Sequence, residues 1–277
     1  MSVIPTNNTE LTGLKGLHLW HTGLSTCSQR VRIAMAELDL TFESHLVNLH
    51  AGENSSEWYQ AIHPKGVVPA LVDDGRLVIE SVDIIDYLDQ KPESPRLTPA
   101  EPGQKETMQT LMKRADQAQK QLKLLTFEFL FKAAPGMSDE LAKTFQSKHK
   151  NETLKKFHRD FRAGFARSRI EDAADVTHRD FKALDQICSD GRKFLAGASF
   201  SLADIAWIPN FHRFELLGWS FGRYPHLQHW FKSVSARPSY ASALESWEPR
   251  ELIDSTAPKL AARQAEGDGI ESYLPAG

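Results

Sequence analysis

The sequence predicts a small mixed α/β domain followed by a larger all-helical domain. Over the first third of the chain, short apolar runs typical of strands alternate with segments of helical periodicity. Residues 91–102 then carry four prolines, which favour extended and irregular backbone. Every element predicted beyond them is a helix. We therefore expect the domain boundary to lie at 91–102.

The first domain is predicted to contain a mixed sheet. LHLWH at 17–21 is a short run of bulky residues typical of a buried strand, and residues 27–38 place apolar side chains at helical spacing. Asp74 and Gly75 separate two apolar runs, a pattern that predicts a β-hairpin. Strands joined by a helix should run parallel, and hairpin strands antiparallel. The other predicted elements are a strand at 41–49, a short helix around Trp58 and Tyr59, strands at 69–72 and 76–80, and a helix at 81–89.

The second domain is predicted to be helical throughout. One charged segment places Phe157, Phe161 and Phe165 at spacing four, so they should share one face of a helix. Basic residues surround them, and we interpret the segment as an amphipathic helix with a solvated basic face rather than a nucleic-acid site. The helices are predicted at 104–132, 138–169, 171–188, 200–219 and 227–237.

These elements define the expected domain organisation. Residues 15–90 should form the α/β domain, and residues 103–250 the helical domain. The flanking segments, 1–14 and 251–277, show no clear apolar periodicity. We expect both to be loosely ordered tails.

Composition excludes several classes of function. The 277-residue chain has a net charge of −3, so its overall charge favours neither nucleic acid nor an anionic membrane. It lacks a long apolar run and a signal-peptide pattern at its start, and we expect a cytoplasmic protein without a membrane span. The two cysteines, Cys27 and Cys188, are too few for a disulfide scaffold. Metal-binding and nucleotide-binding motifs are absent from the sequence, so no metal is expected.

The segment TGLSTCSQRVR at 22–32 joins the first strand to the first helix. Ser25, Thr26 and Cys27 cluster where the amides of a helix start are unpaired, and such a start stabilises anions, including a thiolate. A hydroxyl here could donate to a bound thiolate, and a cysteine could itself be a nucleophile. Alternatively, Ser25 or Thr26 caps the helix and Cys27 packs in its first turn.

Two further segments favour the functional interpretation. Pro69 begins a strand after a turn, where a cis Val68–Pro69 peptide would present the Val68 backbone to an extended peptide. Glu80 and Ser81 stand where a strand gives way to a helix, and the helix amides could hold a carboxylate.

A third pattern is assigned to folding. Ser201 and Asp204 have the spacing of a capping box at the start of an apolar helix. We predict no catalytic role for either residue.

The chain resembles the cytosolic glutathione transferases. STCSQRVRIA at 25–34 is similar to the signature of the zeta class, the maleylacetoacetate isomerases. HPKGVVPALVDDGRLVIESVDIIDYLD at 63–89 resembles the family's glutathione-binding segment, and FSLADIAW at 200–207 its capping-box motif. The stretch from Met137 to Leu184 is loosely similar to bacterial β-etherases, and LADIAWIPNFHRFELLGW to the ganglioside-induced differentiation-associated protein. The resemblance implies a thioredoxin-like domain before the helical one.

The resemblance also implies glutathione as cosubstrate. Ser25 takes the place of the hydroxyl that activates the glutathione thiol, with Thr26 beside it. Cys27 takes the place of a cysteine that is the nucleophile in the related tetrachlorohydroquinone dehalogenase. The remaining assignments are the contacts with the glutathione peptide, which are Asn54 for the glycine carboxylate, Val68 and Pro69 for the cysteine backbone, and Glu80 and Ser81 for the γ-glutamyl group.

The second substrate is expected to be an apolar, aromatic electrophile held between the two domains. Its walls should come from Leu24, Phe127, Trp207 and Phe211, because aromatic and aliphatic walls suit such a ligand. Cleavage of an aryl ether is the favoured reaction. Maleylacetoacetate-type isomerisation and reductive dehalogenation are enzymatic alternatives, and a non-catalytic glutathione-binding partner is an alternative of another class. The family's members are usually dimers, so we expect a homodimer or a heterodimer with a related chain.

Overall fold

The structure is a computed structural model that describes residues 3–6, 8–91 and 96–275. The predicted proline-rich linker is therefore described only in part, since residues 92–95 lie outside the described residues. The backbone divides into two units. Unit 1 comprises Met1–Glu93 and Met137–Ala163, and unit 2 comprises Ser94–Gly136 and Gly164–Gly277.

Unit 1 is built around one mixed β-sheet with helices packed on it. The structure confirms the order of strands and helices predicted between residues 17 and 89. The strands are β1 (Val3–Ile4), β2 (Leu17–His21), β3 (Glu43–Leu46), β4 (Ala70–Asp73) and β5 (Arg76–Ile79). The first helices of the chain are α1 (Thr9–Thr12), α2 (Thr26–Glu37), α3 (Glu57–Ile62) and α4 (Ser81–Asp89).

The sheet has the strand order β1-β5-β4-β2-β3. As predicted, β2 and β3 are parallel and β4 and β5 form an antiparallel hairpin. The hairpin turn holds Asp74 at φ 46° and Gly75 at φ 80°, the left-handed backbone that favours Asp-Gly in tight turns. Trp20 pairs with Ala70, and Ala70 pairs with Ile79. The carboxyl ends of β2 and β5 therefore lie at the same end of the sheet as the start of β4.

The remaining elements are helical. The predicted helix 104–132 is interrupted by a π-helical turn, at which each backbone bond skips one additional residue. In chain order the helices are α5 (Pro102–Gln117), α6 (Gln119–Leu125), the π-helix Thr126–Phe131, α7 (Asp139–Lys148), α8 (Glu152–Ala163), α9 (Arg167–Cys188), α10 (Leu202–Leu216), α11 (Pro225–Ser235), α12 (Pro238–Ala243) and α13 (Arg250–Ala265). Within the described ranges, no helix combines the length and the apolar character that a membrane span requires.

Neither terminal segment is a loose tail over its described residues. β1 pairs with β5, and Leu11 of α1 is buried in the core of unit 1. A two-residue strand is too short to show an alternation, so no pattern in the sequence could predict it. At the other end, α13 is held by polar contacts: Arg263 donates to the Glu128 carbonyl at 3.0 Å and to its carboxylate at 2.8 Å. Residues 1–2, 7 and 276–277 of these tails lie outside the described residues.

The helix predicted over 138–169 is not continuous. It is broken at 149–151 and 164–166, giving α7, α8 and the start of α9. Gly164, at φ 87°, ends the helix before Phe165, so Phe165 does not continue the helix face of Phe157 and Phe161. Residues 137–163 also group with the α/β unit rather than with the helical domain predicted over 103–250.

The predicted capping box at the start of α10 is present. Asp204 is fully buried, and its carboxylate accepts hydrogen bonds from the Ser201 amide at 2.8 Å and hydroxyl at 2.9 Å. It also accepts from the Leu195 amide at 2.9 Å and from Trp230 Nε1 at 2.7 Å. One side chain thus ties α10, α11 and the preceding loop together, which is the folding role that the sequence predicts.

Asp204→Ala should destabilise the protein. It leaves the buried Leu195 and Trp230 N–H groups without their acceptor, and each such group costs about 1–3 kcal/mol. We expect the free energy of unfolding to fall by at least about 2 kcal/mol in denaturant titrations followed by circular dichroism. The control is Asp175→Asn, an exposed carboxylate paired with Arg179 on α9, which should leave the transition unchanged. An unaltered transition for Asp204→Ala would contradict the folding role.

Candidate thiol-binding site

Three loop segments meet at one end of the unit 1 sheet. The chain leaves β2 into residues 22–25, enters β4 through Val68 and Pro69, and leaves β5 into Glu80 and Ser81. The pairing of β2, β4 and β5 places these three points side by side. The structure therefore brings the predicted Ser25, Val68 and Ser81 segments to the same end of the sheet.

Ser25 is the N-cap of α2. Its hydroxyl oxygen accepts from the Ser28 amide at 3.2 Å, so the capping role considered from the sequence is confirmed. The same hydroxyl retains its proton as a donor, and Ser25 is half-buried. Thr26 is buried in the first turn, whereas the Cys27 thiol is half-buried and unbridged. A cap and a thiolate donor are thus compatible in one residue.

A buried arginine holds the loop before α2. Arg32 donates to the carbonyls of Thr22 at 3.2 Å and Gly23 at 2.9 Å, and to His21 Nδ1 at 3.1 Å. These bonds fix the backbone immediately before Ser25. Sequence reasoning assigned Arg32 no role, because an arginine in an amphipathic helix is ordinarily a surface residue.

Glu80 and Ser81 form an open helix start. Glu80 has φ 66°, a left-handed conformation that is strained for a non-glycine residue, and its side chain does not cap α4. Its carboxylate instead pairs with Lys65 at 2.5 Å. The buried Ser81 hydroxyl accepts from Arg30 Nη1 at 3.2 Å. No side chain caps the N-terminus of α4, and a helix start of this kind favours an anion.

The loop into β4 contains Val68, whose backbone groups have no hydrogen bond among the described residues. The predicted cis Val68–Pro69 peptide is confirmed. Tyr59 donates from its hydroxyl to the Val67 carbonyl at 2.7 Å, just before the cis bond. The N–H and C=O of Val68 are therefore available to an extended peptide.

Asn54 was expected from the resemblance to contact the glycine carboxylate. It is buried, and its amide donates to the Gly66 carbonyl at 2.9 Å. The structure therefore supports a role behind the loop and does not support a contact with a ligand carboxylate.

Two buried histidines flank the site but are poor bases. Burial, reinforced by the Arg32 guanidinium, lowers the pKa of His21 to about 3. Burial also lowers the pKa of His63 to about 4, against the opposing effect of Glu80. Neither ring holds a proton well near neutral pH. At this end of the sheet, the Ser25 hydroxyl and the N-terminus of α2 can stabilise a thiolate.

The predicted substrate residues have different environments. Leu24 and Phe127 are half-buried. Trp207 is buried and donates from Nε1 to the Leu111 carbonyl at 3.0 Å, and Phe211 is fully buried against Phe221, with ring centroids 4.7 Å apart. The structure does not support a place for Trp207 and Phe211 on a substrate wall, because both side chains pack in the core of unit 2.

The comparisons with known proteins show the family. The family model for the glutathione S-transferase N-terminal domain matches residues 19–96, and that for the C-terminal domain matches residues 167–233. The chain belongs to the glutathione S-transferase family. Its fold is that of the family, a thioredoxin-like α/β unit and an all-helical unit, as the sequence predicted.

Individual relatives point to two chemistries. The protein LigF of Sphingobium sp. strain SYK-6 is 29% identical over 88% of this chain and 99% of its own. Its crystal structure, described as that of a β-etherase, has a TM-score of 0.74 at 27% identity and covers 83% of this chain and 99% of LigF. Mouse maleylacetoacetate isomerase is 26% identical over 76% of this chain and 84% of its own. The isomerase of Pseudomonas aeruginosa is 46% identical over 81 residues, 28% of this chain and 38% of its own.

Arg32→Lys should destabilise unit 1 although it keeps the charge. A lysine ammonium cannot reproduce the guanidinium fork that serves three acceptors, and each buried acceptor left unpaired costs about 1–3 kcal/mol. We expect the free energy of unfolding to fall by about 2 kcal/mol or more in a denaturant titration. Arg179→Lys, on an exposed face of α9, is the matched control and should behave as wild type. Equal stability of the two variants would show that Arg32 does not hold this loop.

Proposed function

We propose that this enzyme binds glutathione at the end of the unit 1 sheet and directs its thiolate at an apolar aromatic electrophile. The observation that carries the proposal is the start of α4, which no side chain caps and which carries the Ser81 hydroxyl next to Glu80. A γ-glutamyl group carries a carboxylate for the amides and an ammonium for Glu80. The open Val68 backbone is suited to pair with the cysteine of the same tripeptide.

Thiol activation is assigned to Ser25. Free glutathione is mostly a thiol at neutral pH, and a donor hydroxyl at a helix N-terminus favours its thiolate. Ser25 already accepts from Ser28, which orients its O–H away from the helix amides. Holding the thiolate beside a bound electrophile then replaces an encounter of two molecules with a step inside one complex.

Aryl ether cleavage is the proposed reaction. The thiolate sulfur forms a bond to the carbon that bears the aryloxide, the carbon–oxygen bond breaks, and the aryloxide leaves and takes up a proton from water. The similarity to LigF over nearly its full length supports this choice. Leu24, half-buried in the loop before α2, is the proposed contact of the aromatic group.

Double-bond isomerisation is the second candidate. It is supported by the similarity to the maleylacetoacetate isomerases and by the resemblance of STCSQRVRIA, at the start of α2, to the zeta-class signature. A panel of a β-aryl ether, a haloaromatic and maleylacetone, each with glutathione, separates the candidates by product mass. Turnover of maleylacetone alone would favour the isomerase, and no turnover together with tight glutathione binding would favour a non-catalytic partner.

Ser81→Ala should weaken glutathione binding. It removes a hydroxyl contact to a charged group, worth about 1.5–3 kcal/mol. Isothermal titration calorimetry of glutathione into wild type and variant measures the loss. Ser189→Ala, a surface serine after α9, is the control and should bind as wild type does. Unchanged affinity for Ser81→Ala would rule out the proposed clamp.

Ser25 and Cys27 should differ in their effect on turnover. If glutathione is the nucleophile, Ser25→Ala lowers the rate and raises the pKa of the bound thiol, so the rising limb of the pH–rate profile moves to higher pH. Ser25→Thr keeps a hydroxyl and should retain more activity than Ser25→Ala. Cys27→Ser should lower the turnover rate only slightly. If Cys27 is the nucleophile of a reductive dehalogenation, its thiolate attacks the sulfur of a glutathione–aryl thioether, the carbon–sulfur bond breaks and the aryl carbon takes up a proton. Cys27→Ser is then inactive on the haloaromatic, and the Cys27–glutathione disulfide formed in wild type is detectable by mass spectrometry. That second pattern would reject the assignment to Ser25.

A further inference from the structure

The segment Met137–Ala163 lies outside both ranges that the family models match. It nevertheless groups with the α/β unit rather than with the helical unit that surrounds it in sequence. The turn between its two helices, α7 and α8, carries His149 and Asn151. These residues contact the loop that leads into the cis peptide.

His149 is a hydrogen-bond donor to this loop. Its Nδ1 accepts from the Asn151 amide at 3.1 Å, so the ring proton resides on Nε2. Nε2 lies 3.2 Å from the Gly66 carbonyl, which also accepts from the Asn54 amide at 2.9 Å. Both lone pairs of the Gly66 carbonyl are therefore used by buried donors. The His149 ring is itself held against Phe145, with ring centroids 4.7 Å apart.

Three successive carbonyls of the loop are held in this way. The Asn151 side-chain amide donates to the Lys65 carbonyl at 3.2 Å, next to the Gly66 contacts. The Val67 carbonyl accepts from Tyr59 at 2.7 Å. The next residue is Val68, whose backbone faces the proposed glutathione site. The α7–α8 turn thus supplies donors to two of the three carbonyls immediately before Val68.

The turn is anchored to α3 as well. Gln60 donates to the Lys148 carbonyl at 3.2 Å and accepts from the Lys150 amide at 2.8 Å. Packing is close at Gly66, which has φ 58°. A Cβ there would meet the His149 ring and the Asn54 carbonyl at 2.8 Å. The loop is therefore confined between α3 and the α7–α8 turn.

We infer that the α7–α8 turn is a brace that holds the 65–68 loop in its glutathione-binding conformation, with His149 as the positioning residue. This inference rests on the proposed function. A loop that is already ordered loses little conformational entropy when glutathione binds. The brace should therefore act on glutathione affinity rather than on the chemical step.

The test compares substitutions that keep or remove the donor. His149→Phe keeps a ring against Phe145 but has no donor, and should raise KM for glutathione roughly tenfold, with kcat at saturation changed about twofold or less. His149→Gln can still donate to Gly66 and should restore most of the affinity. Asn151→Asp keeps the acceptor for the Leu154 amide but loses the donor to Lys65, and should behave as His149→Phe does. Lys156→Ala, on the exposed face of α8, is the control.

Hydrogen exchange of the peptide over 63–68 provides a readout that needs no ligand. Exchange should be faster in His149→Phe and near wild type in His149→Gln and Lys156→Ala. If wild type binds glutathione and His149→Phe matches it in both KM and exchange, the brace is overturned while the proposed function stands. If wild type does not bind glutathione, the proposed function fails, and with it the positioning role.

Discussion

The site depends on a buried guanidinium that links two helix starts. Arg30 of α2 is fully buried and donates to the Ser81 hydroxyl of α4, so the helix that follows Ser25 and the helix that begins at Ser81 are held together. A charged group without solvent is stable only where its donors are used. Placement of the site is thereby coupled to the folding of the unit itself.

Other buried side chains around the site also donate hydrogen bonds to loop backbone. Arg32 serves the carbonyls before α2, and Tyr59 and Asn54 serve those before the cis peptide. Loops ordinarily carry backbone groups that water must satisfy, which leaves them mobile. Here side chains from helices take that place. The loops are consequently tied to the helices at the residues before Ser25 and before the cis peptide.

Unit 2 uses one carboxylate for a comparable purpose. Asp204 gathers the start of α10, the Leu195 loop and Trp230 around a single side chain. The aromatic core that includes Phe211 packs around α10. Trp207 and Phe211 were expected to face a substrate. In the sequence, an apolar helix face that packs in a core has the same pattern as one that contacts a ligand. Only packing distinguishes a core face from a ligand face.

The sequence by itself determined the strands and helices of the α/β unit, the Asp74–Gly75 turn, the capping box and the residues at the three loop segments, because each depends on neighbours in the chain. The tertiary structure decided what depends on distant partners. β1 exists because β5 offers an unpaired edge, and the 137–163 segment joins the α/β unit because His149 and Asn151 find carbonyls some 85 residues away in the chain. Hydrogen bonds of that range leave no periodicity in a sequence, and so no local pattern could predict them.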